Sequence, residues 1–168
     1  MFKLAWSKNG TPDTLSGASD TITISDQTST KFNIFLSHQI NNGSGIQGTG
    51  RSGYGSVDSG NNYARRQSFN GAADATATSQ SYAFLAGAGS YTTTDAFTIG
   101  YFINIQTEEK LFIAFTVDAQ PAASLAPDRI EAVGKWANTS NQIDNLQLFN
   151  IGSGDYTTGA NLSALGTD

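Results

Sequence analysis

Wherever apolar residues are dense, they alternate with polar ones at a period of two, the spacing of a β-strand with one face buried. Phe32, Ile34, Leu36, His38 and Ile40 share one face, and Lys31, Asn33, Phe35, Ser37 and Gln39 share the other. Phe97, Ile99, Tyr101, Ile103 and Ile105 alternate with Thr98, Gly100, Phe102, Asn104 and Gln106, and Leu111, Ile113, Phe115 and Val117 alternate with Lys110, Phe112, Ala114 and Thr116. The short charged stretch Gln106 to Lys110 between them predicts an antiparallel hairpin over 97–117. The first-named face of each strand is expected to point into one core, so replacing Ile103 or Phe115 with Ala should cost about 2 to 5 kcal/mol.

The same rule predicts weaker strands at Thr21 to Ser25, with Ile22 and Ile24 inward, and at Asn62 to Phe69, Gln80 to Leu85, Ile130 to Trp136, Ile143 to Phe149 and Leu162 to Leu165. Phe2, Leu4 and Trp6 alternate too, so the chain should enter a sheet at once. Pro127 to Val133 begins with a proline suited to a first helical turn, but Gly134 and Trp136 follow so soon that a strand or one helical turn is expected. Two stretches read as loops, a glycine-rich one at about 41–61 and Gly71 to Ser79, which lacks apolar periodicity. No repeat of 20 to 50 residues is present, which argues against a propeller or solenoid. The expectation is all-β: residues 1–168 as one antiparallel β-sandwich, jelly-roll-like, of about 8–11 short strands.

Composition supports a folded domain. Leu, Ile, Val and Phe make up 35 of 168 residues, just above the level below which a core becomes implausible. The net charge of −5 is too small to force expansion. No run approaches the length of a membrane span, and the start has too short an apolar stretch for a secretory signal, so no membrane partner is expected. With a pI near 4.6 and Arg65-Arg66 as the one adjacent basic pair, nucleic acid is a poor partner. Zero cysteine removes disulfides, thiol catalysis and zinc fingers together.

Chemistry is sparse. His38 is the one histidine, so a Ser–His–Asp triad would have to use it. Its place on an apolar face reads instead as a partly buried structural histidine. No second histidine or spaced acidic cluster accompanies it, so no metal is expected. Glu108-Glu109 falls in the predicted hairpin turn, where side chains diverge into water rather than forming the paired carboxylates of a glycosidase. Gly48-Thr49-Gly50-Arg51-Ser52-Gly53 matches G-x-G-x-x-G, with Asp74 near the position of the ribose-binding acid. Yet the glycine- and serine-rich residues that follow cannot open the helix a dinucleotide site needs. No cofactor is expected, and no enzyme. Four Asn-x-Ser/Thr sequons, at Asn9, Asn42, Asn138 and Asn161, reflect a chain rich in those residues.

Tyr54, Tyr63, Tyr82, Tyr91 and Tyr156 fall in or beside predicted loops, where they suit either sugar stacking or subunit contacts. Contacts are favoured, since tyrosine is enriched at interfaces and no carboxylate cluster accompanies these residues. The glycine-rich loop holds few large apolar residues, so it is expected to be ordered by neighbouring subunits. Arg51, Tyr54 and Tyr63 are the expected subunit-contact residues.

The stretches Glu108 through Arg129 and Gly134 to Ile143 resemble small structural proteins of virions from tailed phages and other aquatic, especially marine, viruses. The end of the chain is similar to the closing strands of viral jelly-roll domains: Ile143, Leu146 and Leu148, a turn with Gly152 and Gly154, then Gly159, Leu162, Leu165 and Gly166. The likeness covers roughly residues 97–168. It implies a non-enzymatic virion protein, such as an outer capsid decoration or cement protein, that self-associates as a trimer and contacts the major capsid protein or other virion proteins. It would be made in the host cytoplasm and reside on the capsid surface. A tail or fibre component is the nearest variant. A lectin-like sandwich that binds a surface glycan is the alternative from another class, and a glycosidase-type enzyme is a distant third.

Overall fold

A computed structural model describes residues 5–41, 45–87 and 94–168. Its strands in chain order are β1 (Ser7–Lys8), β2 (Asp13–Thr14), β3 (Thr21–Ile24), β4 (Phe32–Gln39), β5 (Gly48–Tyr54), β6 (Ser56–Val57), β7 (Tyr63–Phe69), β8 (Ala75–Gln80), β9 (Phe84–Leu85), β10 (Ala96–Ile103), β11 (Lys110–Asp118), β12 (Asp128–Trp136), β13 (Asn145–Asn150) and β14 (Asn161–Thr167). Ten of them run four residues or more. No helix is present among the described residues, and the segment beginning at Pro127 leads into a strand.

Two antiparallel sheets pack as a sandwich. The larger has nine strands in the order β1-β14-β4-β10-β11-β12-β7-β8, with β2 also on β14, and the smaller has five, β3-β13-β5-β6 with β9 on β5. The expected hairpin over 97–117 is β10 and β11, in register from Ala96 opposite Asp118 to Phe102 opposite Phe112. The two closing strands part company: β13 enters the small sheet between β3 and β5, and β14 enters the large sheet between β1 and β4.

The core lies between the sheets, but the large sheet turns toward it the faces that the alternation placed outside. Along β4 the buried residues are Asn33, Phe35, Ser37 and Gln39, along β10 they are Ala96, Thr98, Gly100 and Phe102, and along β11 they are Lys110, Phe112, Ala114 and Thr116. Phe32, Phe97, Tyr101, Leu111, Ile113, Phe115 and Val117 are exposed instead, and His38 with them. The expected inward faces are therefore corrected on all three strands.

Space explains the inversion. Gly100, Ala114 and Ala132 lie side by side across β10, β11 and β12, leaving room for large rings above them. Phe35 and Phe84 stack there with centroids 5.1 Å apart, and Phe84 and Phe102 each approach Phe112, at 5.8 and 5.5 Å. A Cβ at Gly100 would stand 2.1 Å from the Phe35 ring, so only glycine admits this packing. The small sheet closes the core with Ile22, Ile24, Leu146 and Leu148, all fully buried; the inward assignment of Ile22 and Ile24 holds.

Several polar side chains on the buried side are tied down, as burial demands. Gln39 Nε2 donates to the Ala86 carbonyl at 2.5 Å and to Thr98 Oγ1 at 3.0 Å, and Ser37 Oγ donates to the Asn161 carbonyl at 2.7 Å. Lys110 Nζ donates to the carbonyls of Gln106, Glu108 and Asn138 at 3.2, 2.6 and 2.7 Å. Burial draws that ammonium below its ordinary pKa, partly offset by nearby Glu108.

Two expected loops are strands. Gly48 to Tyr54 pairs with β13 along six residues and also with β6 and β9, so its own chain orders most of the glycine-rich stretch. Glycine serves close approach here: a Cβ at Gly50 would lie 1.9 Å from the Phe84 ring. Residues 75–80 form β8, paired to β7. Phe2, Leu4, Asn42 and Tyr91 lie outside the described residues.

Candidate functional site

The outer face of the large sheet is the most unusual surface of the molecule. Its cross-strand rows can be read from the register. One runs Leu165, Ile34, Tyr101, Ile113, Val133, Arg66, and the next runs Ser163, Leu36, Ile99, Phe115, Glu131, Ser68. Across β4, β10 and β11 these rows are almost wholly apolar. Eight large side chains there, Phe32, Phe97, Tyr101, Leu111, Ile113, Phe115, Val117 and Val133, are each roughly half exposed. Taking about 150–250 Å² for a full aromatic side chain and somewhat less for an aliphatic one, the patch presents on the order of 800 Å² of apolar surface. The largest patch on an ordinary monomer is roughly 300–600 Å².

The face is contoured. One hollow of about 350 Å³ lies among Trp6, Phe32, Tyr101, Ile103, Leu111 and Ile113. A second, of about 410 Å³, is bounded by Ile113, Val133, Lys135 and the β7–β8 edge, and a third runs past Phe115, Val133, Arg66 and Asp74. Ile113 borders all three.

Among the described residues most charges of this face lie on the β12–β7 flank and pair with one another, with exposed Lys8 opposite Leu165 at the far edge and Asp95 beside His38 at a corner. Lys135 reaches Glu109 at 2.7 Å, Arg66 reaches Asp74 at 3.4 Å, and Arg129 reaches Glu131 at 3.7 Å. Three basic and three acidic groups leave the flank neutral. At the opposite corner His38 Nε2 stands 3.3 Å from Asp95 Oδ2, both side chains about half exposed.

The other residues singled out by sequence are dispersed. Asp74, a candidate ribose-binding acid, sits on the sheet surface beside Arg66, and the G-x-G-x-x-G run is strand β5, not a turn that opens a helix. Glu108 is exposed in the β10–β11 turn, while Glu109 is held by Lys135. Of the expected contact residues, Tyr63 is only 2% exposed, and its hydroxyl donates to the Ser52 carbonyl at 2.5 Å and accepts from the Ser52 amide at 3.1 Å. Burial pushes its pKa up to about 12. Arg51 lays its guanidinium 3.9 Å from the centroid of the Phe149 ring and donates from Nε to Gln147 Oε1 at 2.8 Å. Tyr63 thus serves the chain's own packing, Arg51 is partly buried against Phe149, and Tyr54 is open, at 59% exposure. Sequence reasoning missed the outer face as a surface because it assigned those residues to the core.

A polar recess lies at the end of the sandwich near Tyr54. Asp58 accepts hydrogen bonds there from Trp136 Nε1, Asn62 Nδ2 and the Gly60 amide at 2.8 to 2.9 Å. Burial pushes the Asp58 carboxyl up, but those three donors and Arg51 together hold it below the usual range. Asn138 and Asn141 line the same end. No group of three or more His, Cys, Asp or Glu among the described residues could hold a metal ion.

Neither a family model nor a curated protein matches the chain. Among solved structures, it is similar to the CBM2 module of the evolved Dit of Lactobacillus casei BL23 phage J-1, with a TM-score of 0.20 at 6% identity over 88% of this chain and 69% of that one. A likeness at that level carries no functional argument.

Proposed function

We propose that this chain is a non-enzymatic structural protein of a virus particle, an outer capsid decoration or cement protein that stabilises the shell through protein contacts. The observation that supports this reading is the outer face of the large sheet, an apolar surface of on the order of 800 Å², about what each partner contributes to a standard protein interface. A face rich in Ile, Leu, Val and Phe suits a protein surface better than a sugar, whose hydroxyls require hydrogen-bonding partners. The resemblance across residues 97–168 supports the choice of a virion. The protein would be made in the host cytoplasm and would end on the capsid surface. The test is to raise antibody against the chain and label particles purified from the source culture. Label on the shell supports the reading, and particles that lack the chain overturn it.

A second reading, a lectin-like module that binds a surface glycan, draws on the recess at Asp58, where exposed Tyr54 offers a stacking platform beside Asn62, Asn138 and Asn141. Binding on a glycan array that Tyr54→Ala abolishes would favour it, and an array without signal would remove it.

A further inference from the structure

We propose that the outer face of the nine-stranded sheet docks a second copy of this chain, sheet against sheet, in an isologous pair. The proposal rests on reading that face as an assembly surface, and it names the occupant. Three observations select a copy of the same chain.

The first is area. An apolar patch on the order of 800 Å² on one partner meets what a stable two-chain interface buries per side, and in a two-fold pair both partners bring the same patch. The second is charge. The chain carries −5 overall, and a face sharing that surplus would repel its own copy, because a two-fold axis sets each residue against the same surface. Here the six charged groups of the flank cancel in pairs, and at the other margins Lys8 on the β1 edge and Asp95 beside His38 carry opposite charges, leaving the rows over β4 and β10 uncharged between them. Such a face neither repels its copy nor attracts a strongly charged partner. The third is pattern. On three adjacent strands the outward residues alternate as the inner face of a sandwich does, with projecting rings at Phe32 and Tyr101 beside the hollows around Ile113. Sheets with such faces pack about 10 Å apart with their strands roughly aligned, so a pair would add a second core between two large sheets.

Sedimentation velocity and multi-angle light scattering across a dilution series test this, with the full chain and three variants. The parent chain should pass from one-chain to two-chain mass as concentration rises. Ile113→Arg places a charge where all three hollows meet and should weaken pairing by about 100-fold or more, as a like charge set against its own copy does, with the β circular dichroism unchanged. Val133→Lys provides a second probe of the same face should Ile113→Arg fail to fold. Tyr54→Arg, on the small sheet, should pair as the parent does. A parent chain of one-chain mass throughout, a three-chain mass, or a folded face variant that pairs as the parent does would each overturn the proposal. The antibody labelling decides separately on the virion: a single-chain protein found on particles would sink the pairing alone, and a paired protein absent from them would sink the virion reading alone.

Discussion

The two faces of β11 lie one residue apart and obey opposite rules. Inward stand Lys110, Phe112, Ala114 and Thr116, one aromatic ring among a cation, a methyl and a hydroxyl, all buried. Outward stand Leu111, Ile113, Phe115 and Val117, all large and all half exposed. The inner face is the core because its small residues admit the Phe35 and Phe84 rings and its polar groups find partners. The outer face is the more apolar and has no sheet over it within the described chain. Burial follows complementarity of shape and hydrogen bonding, not residue hydrophobicity alone.

The sharpest way to break this comparison is truncation of one phenylalanine on each face of β11. Phe112 is 1% exposed and Phe115 is 44% exposed. In urea unfolding at concentrations where the chain is single, Phe112→Ala should cost about 3–5 kcal/mol, and Phe115→Ala about 1 kcal/mol or less. Equal losses would contradict the assignment of faces. A smaller effect comes from the lysines. Lys110→Met would strip three carbonyls of their donor and should cost about 2–3 kcal/mol, whereas Lys135→Met, which removes one surface ion pair, should shift stability by about 0.5 kcal/mol or less.

Tyr63 adds a pH test. Its folded pKa is raised from about 10 to about 12, so its contribution is fully present below pH 10 and is lost as pH rises through 12, where the unfolded chain gains the phenolate first. Tyr63→Phe should cost about 1 kcal/mol at neutral pH and flatten the alkaline loss. It cannot abolish that loss, because buried Tyr156 is shifted upward as well. An unchanged alkaline slope would remove Tyr63 from the account. The weakest effect should be Arg66→Ala on the charged flank, within about 0.5 kcal/mol, read from the same unfolding curves.

Period-two alternation revealed the large strands, their hairpin and the absence of long helices among the described residues, because those depend on spacing alone. It could not choose between faces on β4, β10 and β11, since Phe35, Phe102 and Phe112 make the other face apolar enough to bury. Only Gly100 and Ala114, small residues at matched positions, hinted at which side must receive rings. The glycine-rich stretch hid β5, because Gly48, Gly50 and Gly53 have no side chains to alternate and their role lies in the close approach of Ala86, Phe84 and Ser56. For β8 a signal was present: Asn70-Gly71, both at positive φ, is a turn dipeptide placed directly after β7. Of the expected contact residues, Tyr54 was legible as exposed. Tyr63 was not, since a buried tyrosine whose hydroxyl is satisfied by backbone looks the same in sequence.

The absence of cysteine from the chain permits a direct measurement of which face is out. Ile113→Cys and Ala114→Cys each introduce a single thiol, one residue apart on opposite faces of β11, and native-state labelling rates in dilute solution compare them. The account predicts rapid labelling at position 113, slowing as concentration rises and copies pair, with position 114 protected at every concentration. Faster labelling at 114 than at 113 would contradict it.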